Sequence, residues 1–277
     1  MVTPTAKDKM LWRLVLVGGH TRSIGKTQLV CDVIRAFPHT EWIAGKITQY
    51  GHGVCARNGE NCDCAPTEHV CALDWETQAD TGTDSARFLE AGAKRSFWLR
   101  TKQGYLAEGL PLLRQALEEV ASGEWRAASE AAGGVATSDQ ESEAGYLISD
   151  IRYQNEKREG DQRSAISDQE PVRSDLALIV ESNSLMQFVR PSLYFAVIDP
   201  LKEDFKESAQ MALDRAHALV LRGQLGGDEP PAPLWMRLPA QLMKEKPSVL
   251  QREGEALPAP LWELVHRMLE APPSTRF

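Results

Sequence analysis

The chain has 277 residues, is 42% hydrophobic and 25% charged, and carries a formal net charge of −8. That length and apolar content suffice for a substantial core in one or two domains. The acidic balance argues against non-specific nucleic-acid binding and against attraction to an anionic membrane, both of which need a basic surface.

The first apolar run, Leu11 to Val17, reads as a strand. It is interrupted by Arg13, is too short to span a bilayer and is followed by no small-residue cleavage site, so a cytoplasmic protein is expected. Thr27 to Phe37 has the apolar spacing of a helix, and Trp42 to Thr48 makes a second strand. Thr83 to Ala93 reads as a helix, Ser96 to Arg100 as extended, and Leu106 to Ala121 as a longer helix with Leu110, Leu113, Leu117 and Val120 on one face. Leu176 to Val180 and Leu193 to Ile198 read as buried strands, followed by a helix over Ser208 to His217 and a short strand at Ala218 to Leu221. After the Pro-rich stretch from Glu229 to Pro233, Pro258 to Leu269 forms a closing helix. Alternating strands and helices imply an α/β fold on a largely parallel sheet.

From Glu124 to Ser174 the composition changes to Ala, Ser, Glu, Gln, Asp and Arg, with few large apolar residues. Such a segment buries too little surface to offset its ordering entropy. Residues 124–174 are therefore expected to be a disordered or loosely helical insertion, dividing one domain into an N-terminal part, 1–123, and a C-terminal part, 175–277.

Between the first strand and first helix the chain reads Gly18, Gly19, His20, Thr21, Arg22, Ser23, Ile24, Gly25, Lys26, Thr27, Gln28. A glycine-rich turn from strand to helix ending in Gly-Lys-Thr is the pattern of a phosphate-binding loop. Its backbone N–H groups can turn toward a polyphosphate, Lys26 can supply a charge to the β- and γ-phosphates, and Thr27 can offer a hydroxyl to Mg²⁺. Residues Gly19 to Gln28 are accordingly the candidate binding site for ATP or GTP. The usual spacing needs glycine at position 20, where this chain has His20; five residues rather than four separate Gly19 from Gly25. Either the loop is one residue longer, or His20 adopts a glycine-like backbone, which histidine tolerates better than most residues. The bland alternative is a chance Gly-Lys-Thr at an ordinary turn.

Cys55, Cys62, Cys64 and Cys71 form a second constellation, C-x6-C-x-C-x6-C, in a loop-like context with His52 and His69 nearby. Thiolates so spaced can converge on zinc or an iron–sulfur cluster. Redox-active thiols and unliganded structural cysteines are the alternatives, and disulfides fit poorly with reducing surroundings. Cys31, inside the first helix, reads as a small buried hydrophobe.

Chemistry on a triphosphate also needs a carboxylate. Glu181 is the best candidate for Mg²⁺, because it ends the apolar run Leu176 to Val180; Asp175 lies at the opposite end. Asp84 is the second catalytic candidate, with an ordinary helix cap as its competing role. Arg87 and Arg95 could reach phosphate or simply face solvent.

The five-spaced glycine loop resembles that of dethiobiotin synthetase. The order Lys46-Ile-Thr, then Thr83-Asp-Ser-Ala-Arg-Phe-Leu-Glu-Ala-Gly-Ala93, then Leu178-Ile-Val-Glu181 is similar to the molybdopterin-guanine dinucleotide biosynthesis protein B family. Both belong to the SIMIBI-type class of P-loop NTPases. The resemblance covers roughly residues 11–50, 82–100 and 175–222, and implies a doubly wound, mostly parallel sheet with Mg²⁺ and nucleotide held by Lys26 and Thr27. Relatives of this class often dimerise across the nucleotide face. Three departures stand against it. Ser182-Asn-Ser-Leu follows Glu181 where dethiobiotin synthetase has glycines, the cysteine loop belongs to neither pattern, and Arg222-Gly-Gln occupies the place of an Asn-Lys-x-Asp guanine motif.

Three functions fit these residues: an NTP-hydrolysing accessory protein of cofactor or metal-centre assembly acting on a client protein, an ATP-dependent small-molecule kinase or ligase, and a non-catalytic nucleotide-dependent switch.

Overall fold

The structure, a computed structural model, describes residues 10–50, 70–122, 176–200, 202–222, 240–252 and 254–277. The proposed insertion at 124–174, Asp175, Cys55, Cys62, Cys64, His52 and His69 lie outside the described residues.

The chain is α/β, with eight strands in one sheet. These are β1 (Leu14–Gly19), β2 (Glu41–Tyr50), β3 (Cys71–Glu76), β4 (Arg95–Lys102), β5 (Leu176–Glu181), β6 (Leu193–Ile198), β7 (Ala218–Leu221) and β8 (Ser248–Leu250). Their order across the sheet is β3-β4-β2-β5-β1-β6-β7-β8. Every pairing from β2 to β8 is parallel. This order is compatible with double winding, because the chain moves to one side of β1 in reaching β2 and to the other side of β5 in reaching β6.

The chain divides into two compact units, one formed by 1–48, 75–98 and 175–277, the other by 49–74 and 99–174. In the first, β1 and β6 are buried at every position. Uninterrupted apolar runs such as Leu-Val-Leu-Val and Leu-Tyr-Phe-Ala-Val-Ile are what a parallel strand covered on both faces requires. The helices of this unit are α1 (Lys26–Ala36), α2 (Asp84–Glu90), two short ones, α4 (Glu207–Gln210) and α5 (Ala240–Glu245), and α6 (Ala259–Glu270). Leu29, Val33, Leu261 and Val265 pack with Val15, Val17, Ile179 and Phe195 in a continuous core, each fully or almost fully buried. Each such side chain contributes roughly 1.5–3 kcal/mol by leaving water. The Phe97 ring lies where a Cβ on Gly45 would sit, so only glycine fits at that point of β2.

The second unit includes α3 (Leu106–Ser122) and the ends of β3 and β4 that fall in it. Gly109 lets α3 approach Thr101, whose methyl would lie 2.9 Å from an added Cβ. Arg100 and Asp74 form an ion pair there.

Two readings of the sequence change, and one strand had no reading. The helix expected over Ser208 to His217 is α4 followed by a 3-10 turn at Leu213–Arg215. Ala216 is already extended and the His217 amide donates to the Tyr194 carbonyl at 2.8 Å, so too few residues remain for a continuous helix before β7. The Arg215 guanidinium also ties that turn to the Met186 carbonyl at 2.6 Å. Cys71, expected in a loop, begins β3. β8 is a strand that three residues of sequence could not reveal. Among the described residues, no helix is long and apolar enough to cross a membrane.

Candidate functional site

The turn from β1 to α1 lies at the carboxyl ends of β1, β5 and β6. Gly18 and Gly19 are required by space. A Cβ on Gly18 would lie 2.7 Å from the Tyr194 hydroxyl, and one on Gly19 would lie 2.9 Å from the Val197 carbonyl oxygen. The first approach would displace the buried Tyr194 side chain and the second the Val197 backbone. The positive φ angles fall later, at Ser23 (52°) and Gly25 (81°). His20 is not among them, which corrects the glycine-like conformation considered for it: its backbone is unremarkable because its side chain has another task.

His20 is only 1% exposed. Its Nε2 accepts from the Asp199 amide at 3.0 Å, which places the ring proton on Nδ1, and Nδ1–H donates to the Asp204 carbonyl at 2.7 Å. Burial lowers its pKa, opposed by the hydrogen bond to Asp204 and by the charge of Asp199, so the neutral ring is favoured. Phe205 meets the ring edge-on at 5.4 Å. Around it, Thr21 donates its hydroxyl to the Asp204 carboxylate, and Lys202 Nζ donates to the Ser23 carbonyl at 2.6 Å. The loop is thus bound to Asp199, Lys202, Asp204 and Lys206.

Lys26 Nζ donates to the Thr21 carbonyl at 2.7 Å and so lies across the loop. Burial lowers its pKa, partly countered by Glu181. The Thr27 hydroxyl donates to Glu181 Oε2 at 2.6 Å. Parallel pairing brings this about: Glu181 stands beside Val17 of β1 on one side and Lys46 of β2 on the other. Lys46 Nζ lies 3.4 Å from Glu181 Oε1 and is also paired with Asp84 Oδ2. Burial alone would lower the Lys46 pKa; the charge of Glu181, then the hydrogen bond and charge of Asp84, outweigh it and raise it. The result is one chain of contacts, Thr27–Glu181–Lys46–Asp84, beside Lys26.

Asp84 does not cap α2. Thr83 does, its hydroxyl accepting from the Ala86 amide at 3.1 Å, and this leaves the Asp84 carboxylate to Lys46. Other candidates fall elsewhere. Ile24 is buried in the core, so its side chain is unavailable to a ligand. Gln28 bridges Asp32 and Arg87, at 2.8 Å each, and Arg87 is thereby held between the two helices. Arg22 is exposed. Cys31 is 1% exposed, its thiol donates to the Arg87 carbonyl, and burial pushes its pKa up to about 11, as fits a small core residue.

Of the four loop cysteines, only Cys71 is described; its thiol donates to the Tyr105 carbonyl at 3.5 Å, and burial pushes its pKa to about 12. Among the described residues, no group of three or more His, Cys, Asp or Glu side chains is arranged to hold a metal ion. A Thr hydroxyl touching a carboxylate is nevertheless a donor pair suited to a hard cation that takes its remaining ligands from phosphate and water.

Two residues outside the loop also meet here: Asn183, within the Ser182 to Ser184 stretch that the kinase or ligase reading of the sequence assigns to holding an acceptor, and Arg222, which the sequence did not single out as a site member. Asn183 Oδ1 accepts from the Gly19 amide at 2.7 Å, and Arg222 donates to the Gly25 carbonyl at 3.2 Å. Arg222 directly follows the buried strand β7, which is the one local signal that could have marked it.

Fold and site together define an α/β protein with a mostly parallel sheet and a polar cluster at the carboxyl ends of its central strands. No family model matches the chain, and no curated protein matches its sequence.

Proposed function

We propose that the chain is a P-loop nucleoside triphosphatase that binds Mg²⁺ and ATP or GTP at Gly19–Gln28. The observation carrying this reading is the 2.6 Å contact from the Thr27 hydroxyl to Glu181, with Lys26 and Lys46 flanking that carboxylate. A strand-terminal acid beside the hydroxyl that follows the loop lysine is the pairing a Mg²⁺–triphosphate site needs. The position fits the rule for open α/β sheets, whose ligands lie beyond the carboxyl ends of strands where the winding reverses.

In this reading the α1 terminus and the loop amides hold the phosphates, and Lys26 exchanges the Thr21 carbonyl for phosphate oxygens. Thr27 and Glu181 would hold Mg²⁺, which neutralises charge developing on the phosphates. Lys46 holds Glu181 and Asp84 in place through its ion pairs with both. Asp84, relieved of capping, can orient the attacking water.

Coupling of hydrolysis to cofactor or metal-centre assembly rests on the sequence resemblance and on the cysteine spacing. The kinase or ligase reading is favoured by one observation: the Lys46–Asp84 pair beside Glu181 offers charged groups to a small-molecule acceptor. ATP and GTP hydrolysis by the wild-type chain and by Lys26→Ala tests the assignment. Mg²⁺-dependent turnover that the variant loses supports it, and equal rates in both proteins remove the loop from the chemistry. A kinase or ligase instead turns over only when its acceptor is added. Elemental analysis of untagged protein tests the cysteines, with about one zinc, or iron in cluster stoichiometry, expected per chain.

A further inference from the structure

The segment joining β6 to α4 carries two lysines, and their surroundings differ. Lys202 Nζ is engaged by the Ser23 carbonyl at 2.6 Å. Lys206 is fixed by its backbone, its amide donating to the His20 carbonyl at 2.9 Å, while its Nζ has no hydrogen bond or ion pair among the described residues. It is half-buried, and its ammonium is close enough to Lys26 for the two charges to repel. Glu181 and Asp84 attract Lys26, but among the described residues the acids on the segment of Lys206 itself are not paired with its ammonium. Asp204 is held by Thr21, and Glu203 and Glu207 are exposed to solvent. Two ammonium groups on the same side of the loop are favourable around a shared polyanion.

We infer that Lys206 is a second cation of the phosphate site, contacting the terminal phosphate of a bound nucleoside triphosphate, and that residues 202–206, anchored to His20, form a strap which delivers it. The inference rests on the nucleotide-binding reading above. It also accounts for His20. A glycine there could not grip Asp199 and Asp204, and the strap would lose the anchor that sets the Lys206 backbone against the loop.

The test is titration of the full chain, with Mg²⁺, against fluorescent methylanthraniloyl derivatives of ATP and GTP and of their diphosphates, using wild type, Lys206→Met and Lys206→Arg. Loss of a charge-assisted contact to the terminal phosphate weakens triphosphate binding by about tenfold or more in Lys206→Met. Diphosphate affinity stays close to wild type, and Lys206→Arg recovers most of the loss. Matching thermal melts show that the methionine variant is folded. Unchanged triphosphate affinity, equal losses for di- and triphosphate, or failure of arginine to restore binding overturns the assignment of Lys206. A wild-type chain that binds no nucleotide overturns the phosphate-site reading itself, and this proposal with it.

Discussion

Helices α1 and α2 pack against each other, yet their amino termini are built in opposite ways. α2 starts closed: Thr83 caps it, Asp84 opposes the helix dipole, and Glu76 Oε2 accepts from the hydroxyls of Thr83 at 3.0 Å and Ser85 at 2.9 Å. Burial would raise the Glu76 pKa, but hydrogen bonds led by that of Ser85 lower it, so the carboxylate stays charged at this terminus. α1 starts open: its N-cap is Gly25 in the left-handed region, with no side chain to offer, and Lys26, Thr27 and Gln28 put no acid in the first turn. One terminus supplies its own negative charge and the other does not. The comparison teaches that a helix terminus is marked for an anion by what the sequence withholds as much as by the lysine it adds.

The largest expected effect comes at the open terminus. On the proposed reading, Lys26→Ala lowers triphosphate affinity by about 100-fold, read by equilibrium titration, because the charge-assisted contact that reading gives Lys26 is lost. Next is Glu181→Gln, which keeps the fold and the Thr27 contact but cuts Mg²⁺-dependent hydrolysis by about 100-fold, measured as phosphate release at saturating nucleotide. At the closed terminus Thr83→Ala acts on stability instead. It costs about 1 kcal/mol, or roughly 2–4 °C in melting temperature, and leaves nucleotide affinity unchanged. If Thr83→Ala weakened nucleotide binding as much as Lys26→Ala, the contrast between the termini would collapse.

The smallest effect concerns pH. His20 has a folded-state pKa below its unfolded value of about 6.5, so the unfolded chain takes up more protons in that range. Its contribution is intact above that value and declines as pH falls through it. Thermal melts between pH 7.5 and 5.5 should therefore fall more steeply for wild type than for His20→Gln. Since the pKa of His217 is lowered by burial as well, the difference between the two proteins is the informative quantity.

Much of the fold was legible in sequence because the central strands are apolar on both faces. Leu11 to Val17, Leu176 to Val180 and Leu193 to Ile198 need no partner to be recognised; the last two match the observed strands to within one residue, whereas β1 starts three residues later than expected, at Leu14. β3 and β8 were not legible: β3 is half-buried with Asp74 inside it, and β8 is three residues long. The helix expected at Ser208 to His217 failed because the entry into β7 claims its last residues, a tertiary demand that local periodicity cannot express. At the site, Lys26, Thr27 and Glu181 were readable from their places at the ends of apolar runs. Asp84 was readable only as an ambiguity between cap and catalyst, because Thr83 and Asp84 are both good caps until the backbone chooses one.

By itself, the sequence determined the candidate phosphate loop, since strand, glycine turn and helix are contiguous and their pattern is local. The tertiary structure alone decided what surrounds it. Glu181 reaches Thr27 across 154 residues of chain because parallel pairing aligns the carboxyl ends of β1, β2 and β5. His20 binds Asp199 and Asp204 because β6 ends beside β1. Contacts of that kind depend on strand order and register, which no stretch of neighbouring residues encodes.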